Sequence, residues 1–377
     1  MEVSLRSTPN GIKTLKGALK YCQDFARVCY TKSDLSEVKE EGYKPALVNR
    51  LIRTGHHSVF DHFTLGLYLK GLPKAMAMVL NNEPPLTTSE KSARYTVMGG
   101  IPEKQKTLYD KWMGILTNQI DEIFPECEDR DNRIRKLAQE NARYMTSVFT
   151  PTRMGYTISL RQLNLLADNF EEFGMEISND EFKNRLFWGG MVPFLNSEIV
   201  QRFRVKSLED KSTRGVKLFG EDVEEHFGSS IYSTSLFMSF ACLAQNHRHR
   251  TIRNHIVEGW QKGAPLRYFI PPILQEETSK KWVSDLKRVS ETDFPQGQLL
   301  KVAERGTKED LEMKLRERLC GLAQLEIVRA MDDLVKRYSK EVPEMKKLIG
   351  PTCVTSKEGC KKGGCIFGPK HAIDRLI

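Results

Sequence analysis

The chain has 377 residues, of which 40% are hydrophobic and 28% charged. That is an ordinary globular composition, long enough for two units with a core each. Lys and Arg total 58 against 49 Asp and Glu, a net charge of +9. The surplus favours anionic partners such as nucleotides, folates, phosphorylated cofactors or nucleic acid, although simple solubility would explain it equally well. No apolar run reaches membrane-spanning length, and the first residues lack the apolar core of a signal peptide. The expectation is a cytoplasmic chain with reduced thiols at Cys22, Cys29, Cys127, Cys242, Cys320, Cys353, Cys360 and Cys365.

In chain order, apolar spacing predicts a helix over 15–30, with Ala18, Tyr21, Cys22, Phe25 and Val28 on one face. Pro45 opens a second helix to about residue 53. Residues 63–69 read as a strand ended by Lys70-Gly71, and 74–80 resume a helical pattern. Helices follow over 132–148 and 159–173, with Pro151 between them. Residues 196–205 read as helical, 232–240 as a strand or strand–helix junction, and 241–255 as a helix before the Pro-rich stretch 265–272. One long helix is predicted over 308–338, with Leu311, Leu315, Leu319, Leu322, Ile327 and Met331 on its buried side. The second half loosely repeats the order of the first, which suggests modules 1–185 and 186–377. The charged stretches 126–135 and 206–214 read as solvated loops or helix faces.

Three segments could carry chemistry. The first, His56-His57-Ser58-Val59-Phe60-Asp61-His62, places three imidazoles and a carboxylate within seven residues. Its spacing matches no common metal motif, so no metal is expected there. Contact with substrate or cofactor, or hydrogen bonding at a helix–strand junction, are the readings left. The second is Ser89-Glu90-Lys91-Ser92-Ala93-Arg94-Tyr95. An Arg fork suits phosphate, and Ser and Glu can bond a base edge or sugar hydroxyl; a plain helix start explains the segment as well. The third, Gln245-Asn246-His247-Arg248-His249-Arg250, follows the apolar run 236–243. Cations at the edge of a buried element need anions. A nucleic-acid patch is the other reading, but aromatic interleaving is poor there.

Together these segments resemble the flavin-dependent thymidylate synthases. That family carries a His-x-x-x-x-Glu-His segment, then Gln-x-x-Arg-His-Arg and a downstream Ser-x-Arg-Tyr. In this chain the pattern is split. The first half has His56, Asp61 (for the family Glu), His62, Glu90, Ser92, Arg94 and Tyr95, but reads Asn82-Glu83-Pro84 where Arg-His-Arg should stand. It also has a segment 156–161 ending in Arg161, similar to one that supplies a nucleotide-binding Arg. The second half keeps Gln245, Arg248, His249 and Arg250 and has lost Ser-x-Arg-Tyr, reading Glu258-Gly259-Trp260-Gln261 in its place. It retains Ala323-Gln324-Leu325-Glu326-Ile327, followed by Lys336 and Arg337. Each half keeps what the other lost, so the resemblance implies one composite site built from two diverged copies of a module.

The resemblance implies α/β (α+β) modules, each a mixed or antiparallel sheet flanked by helices. The implied reaction is methylation of dUMP to dTMP, with FAD as hydride carrier, NADPH as reductant and methylenetetrahydrofolate as carbon donor. A sister activity on another pyrimidine nucleotide and a non-catalytic nucleotide- or nucleic-acid-binding role are the alternatives. Arg248, His249 and Arg250, with Ser58 and Asp61, would hold FAD. Gln245, Glu90, Ser92, Arg94, Arg161 and Lys336 or Arg337 would hold the nucleotide. His56 would position folate or move a proton, and Arg248 and Ser92 would act beside it at the reacting centre. A homodimer is implied, since the family is a homotetramer. The tail with Cys353, Cys360, Cys365 and His371 could bind zinc, but its spacing is loose, and a free reduced tail is expected.

Overall fold

Two four-stranded antiparallel sheets organise the chain, in the orders β1-β2-β4-β3 and β5-β6-β8-β7. The computed structural model describes residues 1–377 except 30, 85, 178, 206–207, 209–214, 262–264, 356–358, 361–364 and 366–374. The main elements begin with β1 (Glu2–Ser7), α1 (Leu15–Val28), α2 (Leu35–Glu40), α3 (Pro45–Arg53), β2 (Thr64–Pro73), α4 (Lys74–Asn81) and β3 (Thr87–Glu90). Next come α5 (Glu103–Ile123), α6 (Arg130–Ala142), β4 (Pro151–Ser159), α7 (Leu160–Glu176), α8 (Glu181–Leu186), α9 (Val192–Leu195) and α10 (Glu198–Phe203). The remainder is β5 (His226–Phe227), β6 (Ile231–Ser239), α11 (Phe240–Asn246), β7 (Arg253–Glu258), α12 (Glu276–Ser290), β8 (Leu299–Thr307), α13 (Lys308–Arg318) and α14 (Leu325–Glu341). The α+β class expected from the sequence is the one observed.

Chain contacts divide the molecule into one compact unit of residues 1–91 and 151–216 and a second of 92–150 and 217–377. These are not the contiguous modules 1–185 and 186–377. The reason lies in the core of the second unit. Trp112, Leu116 and Ile120 of α5 and Ile134 and Ala138 of α6 join Trp282 and Leu286 of α12 in one apolar cluster. Burying that much aromatic and aliphatic surface outweighs sequence order.

In the first unit, β2 buries Leu65, Leu67 and Leu69 on one face, the period-two pattern of a strand packed on one side. The register shifts after Lys70, where Gly71 takes a φ of +73° that an L side chain would resist. The second unit has the same plan: Tyr232, Thr234, Leu236 and Met238 of β6 face inward. The strand–helix joints also recur. Ser159, Ser239 and Thr307 each end a strand and accept the N–H of the third residue of the following helix, capping α7, α11 and α13.

Each sheet also buries an ion pair next to the Asn that ends a helix. In the first unit Glu90 takes Lys74 Nζ at 2.8 Å and Asn81 Nδ2 at 3.2 Å. In the second unit Glu304 takes Lys314 Nζ and, at 2.9 Å, Asn246 Nδ2.

Three expected helices are shorter than their apolar spacing suggests. The helix over 241–255 stops at Asn246, whose side chain is committed to Asn254 and Glu304, and 253–258 pairs as β7 with β8. The helix over 308–338 is two helices, α13 and α14. Gln324 between them has an extended backbone and a buried, hydrogen-bonded side chain. Leu322, assigned to the buried side, is 39% exposed in this break. The helix over 132–148 ends at Ala142, followed by one tight turn. Strands β4 and β8 and helices α5 and α12 were not anticipated. The charged stretch 206–214 lies, except for Leu208, outside the described residues. No helix among the described residues is long and apolar enough to cross a membrane.

Candidate functional site

The residues singled out from the sequence are divided between the two units. In the first unit, His56 is exposed and heads the short turn His57–Asp61. His57 is buried, with Nε2 2.9 Å from the Ile52 carbonyl, and His62 stacks on Phe25 at 4.4 Å. Both imidazoles fasten the helix–strand junction. Ser58 is exposed. Asp61 accepts Ser159 Oγ at 2.6 Å and pairs with Arg161 Nη1 at 3.3 Å, so it holds the capping serine of α7 and the first-turn arginine of that helix. Glu90 is committed to Lys74 and Asn81 inside the sheet.

The second unit gathers Ser92, Arg94, Gln245, Arg248, His249 and Arg250 with Lys336 and Arg337. Ser92 Oγ accepts the Arg94 N–H at 3.3 Å. The Arg94 side chain pairs with the buried Glu140 and donates to the Leu322 carbonyl at 3.0 Å. Burial alone would lower the Arg94 pKa, but Glu140 raises it above the ordinary guanidinium range.

Around Gln245 lies a network that the motifs did not reveal. Gln245 Nε2 donates to Gln324 Oε1, which also accepts Arg143 Nη2 at 2.6 Å. Gln324 Nε2 donates to Tyr144 Oη, and Tyr144 donates to Glu326 Oε2 at 2.6 Å. Glu326 also takes the Ser239 N–H at 2.7 Å and Ser239 Oγ at 2.6 Å. Burial raises the Glu326 carboxyl despite the donors from Ser239 and Tyr144, and burial lowers the Arg143 guanidinium.

Arg318 reaches the Gln245 segment. Its Nη2 donates to the Gln245 carbonyl at 3.3 Å. Burial lowers its pKa, and the like charges of Arg94 and Arg248 act in the same direction, against Glu317. The serine–arginine segment and the Arg-His-Arg segment therefore both belong to the second unit. Arg248 itself is exposed.

Several buried polar atoms here have no partner: Gln245 Oε1, Arg318 Nε, His249 Nε2 and both ring nitrogens of His247. Such atoms are costly unless something satisfies them. Burial first, and then nearby cations, push both imidazoles down to about 3, so they are neutral at physiological pH. Gln245 Oε1, Arg318 Nε, His249 Nε2 and the His247 ring thus leave hydrogen-bonding capacity in the unit that carries Arg248 and Arg318.

Lys336 and Arg337 lie elsewhere on α14. They are ten and eleven residues beyond Glu326, about 15 Å along a helix rising 1.5 Å per residue. Lys336 pairs with Asp332 at 2.6 Å, and Arg337 with Asp333 at 3.0 Å and with Glu225. Their charges are spent on neighbouring carboxylates. Among the described residues no group of three or more His, Cys, Asp or Glu is placed to hold a metal; His371 of the Cys-bearing tail lies outside them.

Residues missed by sequence reasoning include Arg143, Arg318, Arg133, Lys136 and Arg375. Arg133, Lys136, Leu137 and Glu140 fall at i, i+3, i+4 and i+7, one helix face; that spacing was the available signal. Gln324 and Glu326 had been noted only as part of a resembling segment.

Part of the chain is similar to known proteins. Residues 12–168 match the family model described as thymidylate synthase complementing protein. The flavin-dependent thymidylate synthase of Pyrococcus furiosus is 26% identical over 125 residues, covering 30% of this chain and 49% of that protein. The Pyrococcus abyssi enzyme is 23% identical over 145 residues, 36% and 57% of the two chains. The chain thus spans about half the length of the curated relatives it matches. A Helicobacter pylori thymidylate synthase solved with FAD and dUMP aligns with 56% of this chain and 100% of its own, at 18% identity and a TM-score of 0.32. A UMP/dUMP methylase from Streptomyces cacaoi aligns with 45% and 76% at 18% identity and 0.29. Scores this low add nothing to the fold, which rests on the strand orders above. The likeness to the thymidylate synthase complementing proteins thus extends over residues 12–168, under half of this chain.

Proposed function

We propose that the chain is a flavin-dependent methyltransferase that converts dUMP to dTMP, with methylenetetrahydrofolate as carbon donor and NADPH as reductant. The observation that carries this reading is the contact of Arg318 Nη2 with the Gln245 carbonyl at 3.3 Å, in the segment that also carries Arg248, beside the unpartnered Gln245 Oε1. Arg94, at the Ser92 turn, meets the nucleotide phosphate. Arg248 and Arg318 stabilise negative charge developing on the pyrimidine carbonyl, and Gln245 orients the base edge. Arg248, His249 and Arg250 hold the flavin, which when bound supplies the hydride. His56, Ser58, Asp61 and Arg161 belong to the proposed folate, flavin and nucleotide contacts of the first unit. The recurrence of one strand order in both sheets supports an origin by duplication, and a homodimer would then supply four modules.

Tritium release from 5-labelled dUMP, compared with UMP and with dCMP, tests the reading in the presence of FAD, NADPH and methylenetetrahydrofolate. We expect release from dUMP, loss of bound yellow flavin in Arg248→Ala, and a raised nucleotide KM in Arg94→Ala. Release from UMP or dCMP instead would reassign the substrate. A colourless protein that takes up no flavin on titration would leave a nucleotide-binding role in its place.

A further inference from the structure

The two sheets share one strand order, yet their outer faces differ. In the second unit the segment 221–224 crosses that face. The Glu221 carbonyl lies 2.5 Å from His255 Nε2 on β7, and Asp222 pairs with Lys301 on β8. Asp222 also accepts Ser235 Oγ on β6 at 2.6 Å, and the Glu224 carbonyl accepts Ser233 Oγ at 2.6 Å. Lys301 and Ser235 hold the Asp222 carboxyl down to about 2. Ala303, which pairs with both Ser235 and His255, is fully buried.

Ser159 and Thr307 end β4 and β8 as equivalent caps, so counting back along the two strands sets Arg153 against Lys301 and Gly155 against Ala303. Strand pairing then sets Tyr68 against Ser235 and Lys70 against Phe237. On this first sheet no described residue takes the place of Asp222. Arg153 is exposed and has no carboxylate partner among the described residues, and Gly155 is half-buried. Lys70 has only Glu2, at 3.9 Å with the side chains 67% and 68% exposed, a pair that contributes little. Lys70 and Arg153 stand directly opposite each other on β2 and β4, an arrangement of like charges that costs stability unless an anion lies between them.

We propose that the outer face of the first sheet docks an extended, acidic peptide segment of a partner protein, laid across β4 and β2 as 221–224 is laid across β8 and β6. A carboxylate of that segment sits at Arg153 and Lys70 beside Tyr68 and relieves the repulsion between the two cations. The guanidinium offers it a planar fork. Gly155 leaves the floor clear for the incoming backbone, since a Cβ there would meet nothing nearer than Ser89 at 3.9 Å. A nucleic-acid strand fits less well, because stacking platforms need several aromatic faces. Tyr68 is the single aromatic side chain on this face, and Arg6 already lies over its ring at 5.6 Å. The surface uses no residue of the methylation reading and stands apart from it.

The test is fluorescence anisotropy of a labelled peptide with the sequence of residues 219–227, titrated with the full chain. The same peptide with Gln and Asn for its Glu and Asp, and oligouridylate, are titrated beside it. The acidic peptide should bind, less tightly as salt rises, and roughly tenfold or more tighter than the neutral one. Arg153→Glu and Gly155→Val should each keep the melting temperature, lose roughly tenfold in peptide affinity and leave flavin uptake unchanged. The first removes the charge; the second only obstructs the face. Peptide binding that survives both variants would belong to the second sheet, in place of 221–224, and would overturn the proposal. So would no binding at all, or oligouridylate bound more tightly than the peptide and lost in Arg153→Glu. A dimer in sedimentation that Arg153→Glu dissolves would give the face to a second copy instead. Peptide binding by a chain that takes up no flavin would uphold the proposal while ending the methylation reading.

Discussion

Arg143 Nη2 donates to Gln324 Oε1 at 2.6 Å, joining residues 181 apart in the chain. A guanidinium has donors only, so the Gln324 carboxamide must turn its oxygen toward Arg143. The same oxygen receives Gln245 Nε2. Gln245 Oε1 is thereby left as a buried acceptor without a partner. Arg143 thus decides which end of the Gln245 amide a ligand would meet.

The first prediction concerns base choice. An acceptor at Gln245 pairs with the N3–H of uracil and faces a bare ring nitrogen in cytosine. An unpaired buried polar group costs about 1–3 kcal/mol, so dUMP should bind roughly tenfold or more tighter than dCMP. Arg143→Met frees the Gln324 amide to flip and should reduce that ratio several-fold. Competition titrations of both nucleotides measure it; a ratio unchanged in the variant would separate Arg143 from base choice.

The two capping serines should differ in cost. Ser159→Ala removes a helix cap and a bond to the half-exposed Asp61, a loss of about 1 kcal/mol. Ser239→Ala removes the equivalent cap and also a donor to the buried Glu326, for roughly 2–3 kcal/mol in all. Urea unfolding of the two variants ranks them, and the reverse order would contradict the network drawn around Glu326.

The buried pair Lys314–Glu304 has both side chains at 0% exposure. Burial lowers the Lys314 ammonium, with Glu304 opposing, while Lys314 holds Glu304 low against its own burial. Lys314→Met strands the carboxylate and should cost about 3–5 kcal/mol. Adding Glu304→Gln should restore a large part of the lost stability. If the double variant unfolds at lower denaturant than the single one, the pair is not the source of the loss.

Acid should act through His247 and His249. Both are held near a pKa of about 3 in the fold, whereas an unfolded imidazole titrates near 6.5. Between those values the unfolded chain binds protons that the fold does not. The stability they contribute is therefore complete above pH about 6.5 and is lost as pH falls toward 3, at up to about 1.4 kcal/mol per pH unit for each group. His247→Gln should flatten the slope measured between pH 6 and 4. An unchanged slope would show that His247 is already charged in the fold.

The legible parts of the fold were those with a local pattern. Pro45–Arg53 was bounded by its proline, and the helix from Leu15 and the strand through Leu65, Leu67 and Leu69 followed from periodicity. The Ser92–Arg94 and Gln245–Arg250 motifs were visible, and both reside in the second unit. Less legible was the fate of individual charges. Glu90 looked available for substrate, but Lys74 sixteen residues earlier consumes it. Lys336 and Arg337 looked like a phosphate clamp, and neighbouring carboxylates occupy both. The helices predicted through 247–252 and 319–324 had apolar residues at helical spacing, yet at Asn246 and Gln324 side-chain bonding to distant residues ended them.

Sequence alone determined the helix and strand periods and the identity of the two cationic motifs, because each depends on residues a few positions apart. Tertiary structure decided that residues 92–150 pack with the later half, since only the assembled core sets Trp112 against Trp282, 4.8 Å between ring centroids. It also decided which arginines meet carboxylates and which face open space. Coulomb energy depends on separation through space and on burial, and neither is written in the order of the residues.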